Sequence, residues 1–177
     1  MNNNTPGRSR NRSGAAAART FRPLSAAALP VAGGTYCLWL RPDALLSTSV
    51  GRLGELRLLP GLYAYIGSAL GPGGLRARAG RHLRADKPLR WHIDWLTVCA
   101  PVTALWFRTD RERLECSWAR AIRQAPGVMI PLRGFGASDC ACPAHLFAVP
   151  DSTLSGLWAA LAPDGTLGTP GAPGAPG

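Results

Sequence analysis

The sequence predicts a single mixed α/β domain (α+β in its order of elements) of about 100–150 residues within a chain of 177. Three observations predict it. Short β-type runs, GTYCLWL at 34–40 and LYAYIG at 62–67, end in glycine or turn residues. Between and after them lie stretches with helical apolar spacing. Proline and glycine then cut the chain at 71–74, 88, 101, 126–127 and 150. The hydrophobic fraction of 46% supplies a core, and no apolar run approaches the ~18 residues of a membrane span. A soluble chain with no membrane association is expected.

In chain order, residues 1–32 are rich in Asn, Ser, Arg and Ala, and no acidic residue precedes Asp43. Such a segment cannot bury enough apolar surface to offset its ordering entropy, so a disordered basic tail is expected. It is arginine-rich and acid-poor like an organellar transit peptide; the preferred reading is a bacterial, cytoplasmic chain with a loose leader. Gly34 to Leu40 is the first expected strand. Val50 to Leu59, with Leu53, Leu56, Leu58 and Leu59 apolar, is a second strand or part of a hairpin. Leu62 to Gly67 is the third. The turn Gly71-Pro72-Gly73-Gly74 opens a helix over 75–83, and Lys87-Pro88 closes that region. Trp91, Trp95, Val98 and Cys99 follow helical spacing up to Pro101. Val102 to Phe107 is again β-type. A helix is expected from Asp110, as N-cap, to Arg123, with Leu114, Trp118 and Ile122 as its buried stripe. Ala144 to Val149 is the last expected strand. The folded domain is thus placed at 33–150, and residues 151–177, ending in GTLGTPGAPGAPG, are expected to be a largely disordered Gly/Pro/Ala-rich tail.

Twenty basic residues against ten acidic ones give a net charge of +10 and a pI near 10.7. An excess of that size on a small domain points to a polyanion. All the basic residues but Lys87 are arginine, which grips phosphate with two parallel hydrogen bonds where lysine acts as a point charge. A genome that favours arginine codons would also raise the count. The five cysteines, an odd number, follow no secretory signal, which points to free thiols in a reducing compartment.

The densest chemistry lies in GLYAYIGSALGPGGLRARAGRHLR, residues 61–84. There a tyrosine-bearing strand turns through glycines into a basic helix. Gly34-Thr35-Tyr36 opens the earlier strand, and Tyr36, Tyr63 and Tyr65 are all the tyrosines the chain has. Tyrosine and arginine together suit a phosphodiester. The pattern resembles the GIY-YIG nuclease superfamily. GTY (34–36) stands for the first signature, YIG (65–67) matches the second letter for letter, and Arg78 and His82 have the expected helical spacing. RWHIDWL (90–96), LEC (114–116) and GFGASDCACPAHLF (134–147) are similar to its Uri-type branch, and the resemblance covers roughly residues 33–150.

The resemblance implies a small, mainly antiparallel central sheet flanked by helices. It also implies an endonuclease that hydrolyses DNA phosphodiester bonds with Mg²⁺ or Mn²⁺, in repair or recombination. RNA as the substrate stays open, as does a separate targeting protein. The implied catalytic residues are Tyr36, Tyr65, Arg78, His82 and Glu115. Arg78 would supply fixed charge to the scissile phosphate, and one tyrosine would act on the attacking water. Glu115 would be the metal ligand, since magnesium needs only one or two carboxylates. Each has a plainer reading: sheet tyrosines with satisfied hydroxyls, one more solvated arginine, a histidine in a helix packing face, and a glutamate paired to Arg111. Arg76, Arg81, Arg84, Lys87 and Arg90 are candidate backbone-phosphate contacts, which position DNA without reading it. Tyr63, His92, Asp94, Ser138 and Asp139 are candidate supporting residues. His92 and Asp94 read equally well as a polar helix face.

Cys140, Cys142 and His145 carry zinc-type donors, which His92 or Cys116 would complete to four; structural thiols or a polar loop closing the active-site side are the preferred readings. Two features depart from the superfamily. No asparagine follows Asn11, where a late one is expected, and the 45–59 segment lengthens the gap between the signatures. That insertion is expected to add a strand at the sheet edge. The alternatives to a nuclease are a non-catalytic nucleic-acid-binding module on the same fold and a zinc-stabilised adaptor.

Overall fold

The run GTYCLWL has apolar residues on both alternating faces, and it becomes the fully buried centre of the sheet. The structure is a computed structural model that describes residues 24–170. Strands β1 (Gly34–Leu40), β4 (Tyr63–Ser68), β5 (Val102–Thr109), β6 (Leu146–Ala148) and β7 (Gly165–Gly168) form one five-stranded sheet in the order β6-β4-β1-β5-β7. Every pairing in it is antiparallel. Successive side chains of a strand point to opposite faces, so two cores result. One holds Tyr36, Leu38, Tyr63, Tyr65 and Leu105. It is covered by helices α1 (Gly74–His82) and α2 (His92–Thr97) and by a hairpin of β2 (Leu46–Ser49) and β3 (Glu55–Leu58). The other holds Cys37, Trp39, Ile66 and Trp106 under α3 (Glu115–Gln124) and α4 (Leu154–Leu161). The mixed α/β class and the antiparallel sheet are as expected.

Three boundaries differ from the sequence reading. The 45–59 insertion does not extend the main sheet; β2 and β3 pair only with each other. Both edges of the main sheet are taken by β6 and β7, and the insertion instead turns Leu56 and Leu58 down onto the tyrosine face. Helix α3 starts at Glu115, because Asp110 spends its carboxylate on the Glu112 N–H (2.9 Å) in a turn before the helix. Residues 24–32 are not wholly tail: Leu29 is fully buried against α1, and residues 26–28 form a 3₁₀ turn. Residues 1–23 lie outside the described part.

The largest correction concerns residues 151–170. They form α4 and β7, with Leu157 and Leu161 in the second core and Trp158 packed edge-on to Trp106 at 5.0 Å. The Gly-rich composition that reads as low complexity is a packing requirement here. A Cβ on Gly165 would sit 2.6 Å from the Phe107 ring, so β7 can lie beside β5 only with glycine there. Residues 171–177 are outside the described part. Among the described residues no helix is long and apolar enough to cross a membrane.

Candidate active site

Tyr36 lies opposite Gly67 across the β1–β4 pair, Leu38 opposite Tyr65 and Leu40 opposite Tyr63, so the three tyrosines share one face. The Tyr36 ring runs across Gly67: a Cβ there would be 2.5 Å from the hydroxyl and 2.6 Å from Cζ. The glycine of the YIG run is therefore the space that Tyr36 occupies. Helix α1 lies over the same face, and its last residue, His82, meets the tyrosine with Nε2 at 3.0 Å from the hydroxyl.

Behind His82 sits Asp94, fully buried in α2. Its Oδ1 is 3.5 Å from His82 Nδ1, an ion-pair contact too long for a well-formed hydrogen bond. A carboxylate on that side favours the tautomer with its proton on Nδ1, leaving Nε2 to accept from Tyr36. The carboxylate is itself heavily held. Arg81 Nη1 donates to both oxygens at 2.7 and 2.9 Å, and the backbone N–H groups of Arg90 and Trp91 donate to Oδ2 at 2.9 and 3.0 Å. Burial alone would raise the Asp94 carboxyl. The nearby His82 ring, the Arg81 bonds and the two backbone donors outweigh it and hold the group well below the usual carboxylate range. Arg78 and Arg81 both stack on Trp91, at 4.6 and 4.5 Å from its ring centre, so one indole fixes two guanidinium groups by cation–π attraction.

Burial pushes the Tyr36 hydroxyl up to about 12. The positive charge of Arg78 opposes that rise, while Glu115 and Asp94 add to it. Tyr65 is raised well above its ordinary value by burial and then by Tyr36, again opposed by Arg78. The same charges, Arg78, Glu115 and Asp94, act on both hydroxyls. Glu115 comes from the other layer. It is the first residue of α3, almost fully buried, at the helix end that favours a carboxylate. The Leu114 N–H donates to Thr35 Oγ1 (3.3 Å), which ties the helix start to the residue before Tyr36.

Burial lowers His82, with Lys87 and Arg81 reinforcing and Asp94 opposing, so the buried ring is neutral near pH 7. An unfolded chain takes up that proton from about pH 6.5 downward while the folded one resists it. The His82 contribution should therefore be flat above pH 6.5 and fall as pH drops below it. Asp94 adds a further loss below its ordinary value of 3.8, where only the unfolded chain protonates. Urea midpoints between pH 7.5 and 5 check the first step. His82→Gln should make that part of the profile shallower, His92 and His145, also lowered by burial, keeping the remainder; an unchanged slope would assign it to them.

The structure reassigns several of the other predicted residues. Arg81 is committed to Asp94 and the Pro88 carbonyl, and Lys87 Nζ donates to the carbonyls of His82 and Arg84 at 3.0 and 2.8 Å, closing α1. Neither is a free phosphate contact. Arg76 Nε holds the Leu29 carbonyl (2.8 Å), while Arg78, Arg84 and Arg90 are exposed. Tyr63 donates to the Leu59 carbonyl at 2.9 Å and serves the fold. His92 Nδ1 accepts the Gly136 N–H at 3.1 Å, pinning the GFG loop, where a Cβ on Gly136 would meet Tyr65 Cε2 at 2.8 Å. Ser138 and Asp139 are exposed. The ion partner of Glu115 is Arg113 (3.4 Å), which also reaches Asp139 (3.2 Å), in place of the expected Arg111. No local pattern distinguishes Arg113 among so many arginines.

On the far side of Glu115 the ligand atoms of Cys116, Cys140, Cys142 and His145 lie within 4.8 Å of one another, an arrangement able to hold a metal ion. Cys116, of the two residues named to complete the set, is the one that joins it. Burial, then the Cys142 and Cys140 thiols, pushes the Cys116 thiol up to about 12.

Fold and site together define a small antiparallel α/β domain with a buried tyrosine–histidine–carboxylate cluster and, next to Glu115, a thiol cluster. The chain belongs to the family described as domain of unknown function DUF123, which matches residues 35–161, from the start of β1 to the end of α4. No curated protein and no solved structure matches it.

Proposed function

We propose that this chain is a metal-dependent endonuclease of GIY-YIG, Uri-type character that hydrolyses the DNA backbone. The observation that carries the proposal is the buried Tyr36–His82–Asp94 series, with the charges of Arg78 and Glu115 acting on the same hydroxyls. Hydrolysis needs a proton taken from water and positive charge against the transition state. Tyr36 is a neutral hydroxyl at neutral pH, so it would take the water proton only as it passes its own to His82 Nε2. Asp94 then steadies the imidazolium through Nδ1–H. Arg78, exposed and stacked on Trp91, meets the non-bridging phosphate oxygens. Tyr65 stays protonated and serves as a donor.

Glu115 fits a Mg²⁺ or Mn²⁺ seat, as a buried hard-oxygen donor at the sheet end. A bound ion there would supply charge neutralisation at the phosphate and activate the attacking water. Arg84 and Arg90 extend the basic rim and position DNA.

Metal-dependent nicking of supercoiled plasmid tests this, with single-stranded and branched DNA alongside. Glu115→Ala and Arg78→Ala should each lower the rate by about 10²–10³-fold. The second reading, a non-catalytic DNA-binding module, is favoured by the near-complete burial of Tyr36 and Tyr65 (1% and 7% exposed). Binding that weakens with salt, with no cleavage of any substrate, would select it.

A further inference from the structure

We propose that Cys116, Cys140, Cys142 and His145 bind a zinc ion that acts as a staple, holding the adjacent Glu115 carboxylate at the end of the sheet. The second half of that statement rests on the nuclease reading of Glu115; the first half does not.

The geometry carries the zinc. A tetrahedral ion with Zn–S bonds near 2.3 Å has ligand atoms about 3.8 Å apart. The four atoms here are all within 4.8 Å of one another, and Cys140 Sγ is already 3.5 Å from His145 Nε2. Thiolate with imidazole is a soft donor set that selects zinc over magnesium. Four protein ligands leave no open position, so the site is structural. It is chemically distinct from the hard-oxygen Glu115 carboxylate one peptide bond away.

The fold supplies the reason. Between α3 and β6, residues 125–145 form no regular helix or strand. So long an irregular stretch is uncommon inside a small domain; its apolar anchors, the fully buried Phe135 and Ala144 among them, leave the 138–142 segment at the surface. Beyond its two ends, the loop's polar ties to the body are the Ile66 N–H to the His145 carbonyl (3.0 Å), Gly136 N–H to His92 (3.1 Å), the Met129–Ala148 bridge and Arg113 to Asp139 (3.2 Å). His145 N–H to the Phe135 carbonyl (2.7 Å) and Gly134 N–H to the Pro143 carbonyl (2.8 Å) close the loop on itself. Cys140 and Cys142 come from this loop, His145 from just before β6 and Cys116 from the first turn of α3. A shared ion joins all three. It also pins the helix start that carries Glu115 against a loop whose Gly136 touches Tyr65.

The full chain, purified under reducing conditions, should contain one zinc per molecule by elemental analysis. Cys116→Ser, Cys140→Ser and Cys142→Ser should each lower that content, while Cys99→Ser, an exposed thiol outside the cluster, should not. Because loss of a ligand can unfold a serine variant, wild-type chain reconstituted with Co²⁺ gives a second readout: intense thiolate-to-metal absorption of a tetrahedral site is expected. Stripping zinc should weaken Mn²⁺ binding, read by water-proton relaxation, by about 10–100-fold, and adding zinc back should restore it. A folded, metal-free protein with no Co²⁺–thiolate absorption overturns the zinc site. Unchanged Mn²⁺ binding after zinc removal overturns the positioning role. Zinc present with no Mn²⁺ binding and no cleavage in the wild type keeps the zinc site but overturns positioning and the nuclease reading together. Cleavage without zinc overturns the staple and leaves the nuclease standing.

Discussion

Replacing Asp94 by alanine should cost the fold about 3–5 kcal/mol, the range for removing one partner of a buried ion pair. The carboxylate is fully buried and accepts from Arg81 and two backbone N–H groups at 2.7–3.0 Å. Its loss leaves a largely buried guanidinium without its counter-charge and uncaps the first turn of α2. Asp94→Asn is the informative companion. The amide keeps the shape and one acceptor oxygen, so the stability loss should be smaller, while the charge opposite His82 Nδ1 is gone. If the relay operates, Asp94→Asn should still depress cleavage strongly, with DNA affinity unchanged and a shifted pH–rate profile. If Asp94 is merely structural, the amide variant should lose activity only in step with stability, with an unmoved pH profile. Urea unfolding and the rate profile of the two variants separate these cases.

Much of the site is legible in sequence because it is built from local spacing. Tyr36 and Tyr65 fall on strands whose limits the GTY and YIG runs mark, and His82 follows Arg78 by one helical turn. Alternation along the strand puts Tyr63 on the same face as Tyr65, and the structure agrees. Asp94 is visible as part of WHID, but its weight is not. Its partners are Arg81, thirteen residues back, and two backbone groups set by the turn before α2, and no periodicity reports such a meeting. Arg81 and Lys87 mislead for the opposite reason. A basic helix reads as a phosphate surface, yet one of these cations serves a buried carboxylate and the other closes the helix on its own carbonyls.

The tail shows a different limit. Gly165 and Gly168 look like filler in GTLGTPG, but β7 pairs with β5 through the very residues that cannot carry a Cβ. Composition records the absence of side chains without saying whether the space is empty or filled by a neighbour's ring. The thiol cluster likewise joins Cys116 to residues far along the chain, on a loop beyond the end of α3. Cys-x-Cys-x-x-His alone is too short a pattern to imply a fourth ligand, and only the packing of α3 against the 140–145 loop selects Cys116 over His92.

Gly67→Ala should be destabilising by about 1–3 kcal/mol, the usual cost of overfilling a packed core. That sign is informative because alanine is ordinarily better than glycine inside a strand by about 0.5–1 kcal/mol. The new methyl would stand 2.5 Å from the Tyr36 hydroxyl, 2.6 Å from Cζ and 3.0 Å from Cε2. The ring cannot simply swing aside, since it is 1% exposed and its hydroxyl is engaged by His82. Relief therefore comes from moving Tyr36 away from His82, so activity should fall further than stability does. A double-mutant cycle isolates the cause. In a Tyr36→Ala background the same Gly67→Ala change should cost little or become favourable, giving a coupling of about 1 kcal/mol or more. An equal cost in both backgrounds would place the strain in the strand backbone and remove the steric reason for glycine beside this tyrosine.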